Sequence, residues 1–367
     1  MQLLKFELYK MYRQKIIYFT FILLVLFSTG FTFNRITDWE KDLYREWEGP
    51  ISEEKIQLAH QGNEELTKKM DERVEEDGFV YSETEQTKMG IYETISFIIN
   101  IEKNANEKLS KLEKENNYNT DLEKAMLKDF DTSYFAYNKG PEKVIDYASV
   151  YSIFLTGAML LIGLSTIYTQ EYSSGVDNYI LSSKKGRVSL LWAKVSASLI
   201  YTFVIVIAWE LFNLGWNVFQ FGNEGWDTSI QHYFKYYFSP YSFNMLEYHF
   251  IQLGIHLLAA FSFAILIVLI SSICKNSLIA FFINGAIFAT PYLIVEMLML
   301  PNGVEDIFRF SYIYIMNVEF LFDHFKTFNF FGYPILYPVV AIVWMVVVSM
   351  ALVLVTSHIV RKREVTV

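Results

Sequence analysis

EYSSGVDNYILSSKKGRVSLLWAK, residues 171 to 194, is a polar, basic stretch held between two strongly apolar segments. Tyr147 to Gln170 on one side carries no charged residue, and Val195 to Phe219 on the other carries only Glu210. A bilayer core about 30 Å thick needs roughly 20 apolar residues at about 1.5 Å rise each. Both flanks meet that length, so the stretch reads as a loop between two membrane spans.

Working outward, the same rule selects Tyr248 to Cys274 and Pro334 to Val360 without charge, and Ser277 to Leu300 with Glu296 alone. Ile16 to Phe33 is the first apolar run, following Lys5, Lys10, Arg13 and Lys15. It reads as an uncleaved anchor, because the run is long and no A-x-A-like site follows it. The expectation is an all-α integral membrane protein of six spans, and the overall composition, 53% hydrophobic and 17% aromatic, agrees.

Lys and Arg near span ends orient such a protein. They precede span 1, fill the loop between spans 2 and 3 (Lys184, Lys185, Arg187, Lys194), separate spans 4 and 5 (Lys275), and follow span 6 (Arg361, Lys362, Arg363). A six-span topology puts all of these on the cytoplasmic side, with both termini inside. Residues 37–146 then lie outside, and they hold 15 Lys/Arg against 27 Asp/Glu. That acidity keeps a domain soluble and also attracts cations. With Cys274 the only cysteine, no intramolecular disulfide supports this domain.

The expected organisation is an amphipathic elbow over 1–15, span 1 over 16–36, the acidic helical extracellular domain over 37–146, and spans 2 to 6 over 147–367. Within the domain, Ser52 opens a helix with Ile56, Ala59, Leu66, Met70 and Val74 on one stripe, ending near Asp77-Gly78. Ile91, Ile95, Ile98, Ala105, Leu109 and Leu112 form a second stripe, so the two predict an antiparallel helical hairpin. Thr120 and Glu123 have capping-box spacing. Residues 301–333, rich in Phe and Tyr, read either as an aromatic belt or as short helices re-entering the outer leaflet.

No G-x-x-x-x-G-K-[ST], H-E-x-x-H or G-x-S-x-G sequence occurs, and the lone His60 has no nearby metal-ligand partner. Catalysis and a bound cofactor are therefore not expected of this chain. The 171–194 loop reads instead as a mechanical contact: Gly175 allows a change of direction, and Val176, Tyr179 and Ile180 place an apolar ridge on a short helix suited to a partner's groove. The competing reading is a surface helix whose Lys184, Lys185 and Arg187 lie on anionic lipid.

The start LLKFELYKMYRQK, followed by a span, resembles the N-terminal elbow of ABC transporter permeases of the ABC-2 type. Glu171-x-x-x-Gly175, then Tyr179-Ile180-Leu181-Ser182, Arg187 and Lys194, resembles that family's coupling segment, although Val176 stands where Thr is common and Lys184-Lys185 where Pro is common. The resemblance covers about two thirds of the chain. It implies a dimer of permease chains, the same or homologous, and separate cytoplasmic ATPase subunits that bind the ATP and engage Glu171, Gly175, Val176, Tyr179, Ile180 and Arg187. The implied setting is a multi-pass protein of a bacterial cell membrane, with lipid and no nucleic acid as a partner.

Polar residues inside spans are costly, about 2.5–3.5 kcal/mol for a central charge. Glu210, Asn213, His256 and Glu296 all fall in the outer halves of their spans, with Asn217 and Asn284 as possible companions. They read either as a polar substrate path or as interhelical bonding, including a Glu paired with His256. The expected function is export of an amphipathic substrate such as an antimicrobial peptide or a lipid-like molecule. Sodium or drug export, and a membrane sensor or scaffold that signals from the external domain without transport, are the alternatives.

With Cys274 replaced by Ala, a cysteine at Gln86 should react with an impermeant thiol reagent outside intact cells, while one at Ser183 should not. Labelling of Ser183 from outside would remove the six-span topology.

Overall fold

Long apolar runs and their polar interruptions make this chain mostly helical. The computed structural model describes residues 2–33, 37–77, 82–115, 117–128, 132–176, 186–298 and 301–362. Helix α1 (Gln2–Tyr12) meets α2 (Lys15–Thr32) at a 55° bend, an elbow leading into an apolar helix. A polar domain follows: α3 (Asp38–Glu46), strand β1 (Gly49–Pro50), α4 (Glu53–Asp77), α5 (Glu83–Leu112), α6 (Thr120–Lys128) and strand β2 (Tyr134–Phe135). The bundle then begins with α7 (Lys139–Leu164), the short α8 (Thr169–Ser174), α9 (Gly186–Phe221), α10 (Met245–Ile273) and α11 (Ser277–Met297). Three short helices, α12 (Asn302–Arg309), α13 (Tyr312–Asn317) and α14 (Glu319–Phe322), lead to a hairpin of β3 (Thr327–Phe330) and β4 (Tyr333–Leu336) and to the last helix, α15 (Tyr337–Lys362).

Among the described residues, five helical segments are long and apolar enough to cross a membrane, and a sixth if α1 and α2 count as one bent span. The most apolar windows of α7–α8, α9 and α10 are 67%, 61% and 67% buried, whereas those of α11 and α15 are 17% buried. The three former segments therefore make the core, with Leu160, Leu164, Tyr201, Trp209, Ala260 and Phe263 fully enclosed between them.

In the polar domain α4 packs on α5, as the two apolar stripes require. Ala59, Ile91, Ile95 and Ile98 are buried against Tyr44, Phe135 and Tyr137. Ser52 accepts from the Lys55 backbone N–H, and Ser82 and Glu85 form a capping box at the start of α5. The box expected at Thr120 is not made. Thr120 already lies inside α6, its hydroxyl accepts from the Asn117 N–H, and Glu123 reaches across to Lys108.

Several sequence boundaries are corrected. The chain is not wholly helical: β1 pairs antiparallel with β2, closing the polar domain, and β3 pairs with β4 around Phe331 and Gly332, both at positive φ. The latter is a two-residue hairpin turn, which the Asn-Phe-Phe-Gly-Tyr run signals through its glycine. Helix α7 starts at Lys139, ahead of the apolar run that opens at Tyr147, and its early charges are paired: Lys139 with Glu142, and Asp146 with Lys235. Apolarity alone places the start too late. Helix α9 starts at Gly186, ahead of the apolar run that opens at Val195, and, at about 1.5 Å per residue, outruns a bilayer core. Residues 302–322 form short helices, and α13 packs on α7, α10 and α11 with Ile313, Tyr314, Ile315 and Met316 buried.

Gly163 gives the Tyr201 ring of α9 room against α7, since a Cβ there would collide with the Tyr201 hydroxyl. That hydroxyl donates to the Met159 carbonyl at 2.9 Å. Gly163→Ile should therefore cost about 1–3 kcal/mol by overpacking and lower the unfolding midpoint in detergent. Gly254→Ala, which meets no atom within 4 Å, should leave the midpoint unchanged.

Candidate functional site

Two turns into α9, Lys194 has a fully buried ammonium. Its Nζ donates to Glu171 Oε1 at 2.7 Å, to Glu7 Oε2 at 3.1 Å and to the Ile167 carbonyl at 2.5 Å. Lys10 Nζ bridges the same two carboxylates, at 2.9 Å to Glu7 and 2.8 Å to Glu171. Two cations and two anions thus form a neutral square linking α1, α8 and α9. The Tyr168 ring closes one side, with its centroid 4.8 Å from the Lys194 ammonium. Helix α8 is fixed to the end of α10 as well: Tyr168 N–H donates to Ser271 Oγ at 3.1 Å and Tyr172 Oη to the Ser272 carbonyl at 3.1 Å.

The residues expected to contact an ATPase are divided by this arrangement. Glu171 turns inward and is buried, so it holds α8 in place rather than lying on the surface. Gly175 ends α8 at φ 70°, a left-handed cap that favours glycine. Val176 is exposed beyond it. Arg187 lies in the first turn of α9 and donates to the Arg361 carbonyl at 3.1 Å, tying α9 to the last helix. Tyr179 and Ile180 lie outside the described residues. Lys194, read from sequence as a loop cation, belongs to the buried square instead, because Glu7 and Glu171 neutralise it.

A second polar set runs through the middle of the bundle. Glu210 on α9 accepts at 2.8 Å from His249 on α10 and at 3.3 Å from Asn213 Nδ2. Asn213 also donates to the Val144 carbonyl at 3.1 Å, and Asn217 donates to Asn213 Oδ1 at 2.8 Å. Gln252 donates to the Ile145 carbonyl and to Ser149 Oγ, at 3.1 and 2.9 Å. His256 Nδ1 lies 2.9 Å from the Met316 carbonyl, which only accepts, so Nδ1 carries the proton. Its Nε2 then accepts from Thr156, whose oxygen also receives the Trp209 Nε1–H, each at 2.9 Å.

The suggested pairing of a glutamate with His256 is corrected: the histidine on Glu210 is His249, one face-repeat earlier on α10. Glu210, Asn213 and His256 are buried and bonded across helices. Glu296 stands apart, exposed near the end of α11, where it accepts from Tyr314 Oη at 3.2 Å. His249, Gln252 and His256, spaced three and four residues apart, lie on one helical face. That spacing was the available signal for His249 and Gln252. Glu7 carried no comparable signal, since its partners are far away in sequence.

At the polar-domain end a third charged set joins the bundle to its cap. Lys235 donates to Asp146 on α7 and to Glu319 on α14, both at 2.9 Å, and Tyr233 Oη donates to Asp146 at 2.7 Å. Burial works against the Lys235 charge, yet its bonds to the two carboxylates hold its pKa above the ordinary lysine value. Among the described residues, no three His, Cys, Asp or Glu side chains converge to hold a metal ion.

No family model matches the chain, and comparison with curated proteins and with solved structures gives no match.

Lys194→Met should destabilise the protein by about 3–5 kcal/mol, because it leaves an uncompensated carboxylate in a buried site. Adding Glu7→Gln restores neutrality and should recover a substantial part of the loss in a denaturation series. Equal stability of Lys194→Met and the unsubstituted protein would show that the square is not held as described.

Proposed function

We propose that this chain is the membrane-spanning subunit of an ATP-driven exporter, paired with a second permease chain and moved by separate cytoplasmic ATPase subunits. The observation that carries the reading is the buried square of Glu7, Lys10, Glu171 and Lys194. It ties the elbow helix to both flanks of the polar stretch that resembles an ABC-2 coupling segment. A push on that stretch is transmitted to α8 and to the foot of α9, and through the square to α1. The elbow and the two span bases then move as one body, since separating them uncovers a buried ammonium.

The proposed topology places the square and the stretch on the cytoplasmic side, following the distribution of Lys and Arg, and the polar domain outside. The cargo is an amphipathic molecule such as a cationic antimicrobial peptide or a lipid-like compound. The acidic external domain suits the former and the aromatic residues of 301–333 suit the latter. Within the bundle, Glu210, Asn213 and His256 are the proposed polar positions along the substrate path. Their bonds to His249, Val144 and Met316 open when the spans rock, and Glu296 stands at the outer mouth.

The test pairs the chain with its ATPase. Tyr179→Asp with Ile180→Asp puts two charges into a contact that excludes water, costing on the order of 2–4 kcal/mol and so at least a tenfold loss of assembly. Co-purification of the ATPase and substrate-stimulated ATP hydrolysis should both fall by that factor, while membrane insertion is unchanged. Normal assembly and normal ATP-dependent transport by this variant would overturn the coupling role. A chain that co-purifies with a kinase and no ATPase would point to the sensor reading.

A further inference from the structure

The seam between the polar domain and the bundle is not closed along its length. On one side of it the Phe97 and Tyr237 rings stack with centroids 3.8 Å apart. On another, Tyr118 and Asn119 bond to Thr327. Within the seam is a cavity of about 410 Å³, bounded by α5, α6 and residues 237–239 and 324–325. That is the size of a small-molecule site, about 300–1,000 Å³.

The cavity has two kinds of wall. Ile101, Ala105, Leu127, Phe238 and Phe325 give it an apolar surface, while Lys108, Asn104 and His324 supply the polar one. Lys108 is paired with Glu123 and His324 with Asp323, yet neither carboxylate lines the space. In a segment with 27 acidic against 15 basic residues this is against the average. The neighbouring cavity of about 470 Å³ has the opposite lining, with Glu48, Asp227 and Glu247 and no Lys or Arg. The lining of this cavity thus carries Lys108 and no carboxylate, the reverse of the other one.

We propose that the cavity binds a single-chain amphiphile with an anionic head. The chain lies along Ile101, Ala105, Leu127, Phe238 and Phe325, removing their apolar surface from water. The carboxylate or phosphate of the head accepts from Lys108, Asn104 and His324 by charge-assisted hydrogen bonds. Ligand in this position touches α5 and α6 on one side and the cap residues beside Lys235 on the other. It therefore bridges the polar domain to the segment that Lys235 fastens to α7 and α14. The proposal does not rest on transport: it assigns the polar domain a ligand whether or not the bundle moves cargo.

The experiment uses the full chain in phosphatidylcholine nanodiscs, titrated with the fluorescent fatty acid cis-parinaric acid. Saturable binding is expected, with displacement by oleate or by lysophosphatidylglycerol. Displacement by only one of these assigns the head as carboxylate or phosphate and supports the site either way. Lys108→Glu should weaken binding at least tenfold, and Ala105→Trp should abolish it by filling the apolar wall. Asp227→Asn, in the other cavity, should leave it unchanged. Glu123, the partner of Lys108, is buried, so Lys108→Glu is made together with Glu123→Gln, which avoids a stranded like-charge pair and decides the question even where Ala105→Trp does not insert. Absence of saturable binding, undiminished binding by Lys108→Glu, or displacement by uncharged monoolein as effective as by oleate would each overturn the proposal.

Discussion

An ammonium wholly removed from water is the constraint on which the foot of this bundle depends. Lys194 sits where an isolated charge would cost several kcal/mol even after relaxation. It is tolerated because Glu7, Glu171 and the Ile167 carbonyl surround it. Each carboxylate comes from a different helix, and Lys10 holds both from the far side. A buried ionic group of this kind is weak evidence for added stability, because a well-packed apolar replacement is often as stable. It is a strong constraint on geometry, since α1, α8 and α9 can keep only arrangements that leave all four charges paired.

The other end of the bundle repeats the device with different consequences. Lys235 joins Asp146 and Glu319, so α7 and α14 are fixed to the cap between α9 and α10. Between these two ionic ends the polar contacts of the interior are mainly hydrogen bonds, from Gln252 and Ser149 to Thr156 and Trp209, with Glu210 and His249 as the ionisable pair. Such bonds are individually worth about 0.6 kcal/mol between helices in a membrane. Parting the helices at either end uncovers a charge, whereas parting them in the middle breaks mostly neutral hydrogen bonds.

The sequence made the long helices legible because apolar runs and their breaks depend on near neighbours. The stripes at Ile91, Ile95 and Ile98 and the cap at Ser52 were readable for the same reason. The apolar runs at Tyr147 and Val195 begin later than helices α7 and α9, because hydropathy counts Glu142, Asp146 and Arg187 as exposed although Lys139, Lys235 and the Arg361 carbonyl accommodate them. Lys194 shows the limit most sharply: from local sequence it is one more basic residue before a span, and it is interior because Glu171 and Glu7, the latter 187 positions away, both pair with it. The partner of Glu210 was missed by one face-repeat, since both His249 and His256 lie on the inward face of α10 and spacing alone does not choose between them.

Burial within the bundle follows polar content more than apolarity. Helices α11 and α15 qualify as spans on the same criterion as α9, yet they are mostly uncovered within this chain. Lipid is as apolar as a leucine side chain, so no hydrophobic force draws one span onto another in a bilayer. What draws spans together is the need to satisfy groups that lipid cannot. Helices α7, α9 and α10 carry Ser149, Thr156, Glu210, Asn213, His249, Gln252 and His256, and each of these is buried. On α11 the buried polar side chain is Asn284, which donates to its own helix at Ala280, and on α15 it is Thr356, which donates to Leu352. Bonds made within a helix require no neighbour, so polar groups do not draw these two spans inward as they do the other three, and α15 packs along α10 through apolar side chains such as Ala341 and Met345 while its other faces stay uncovered.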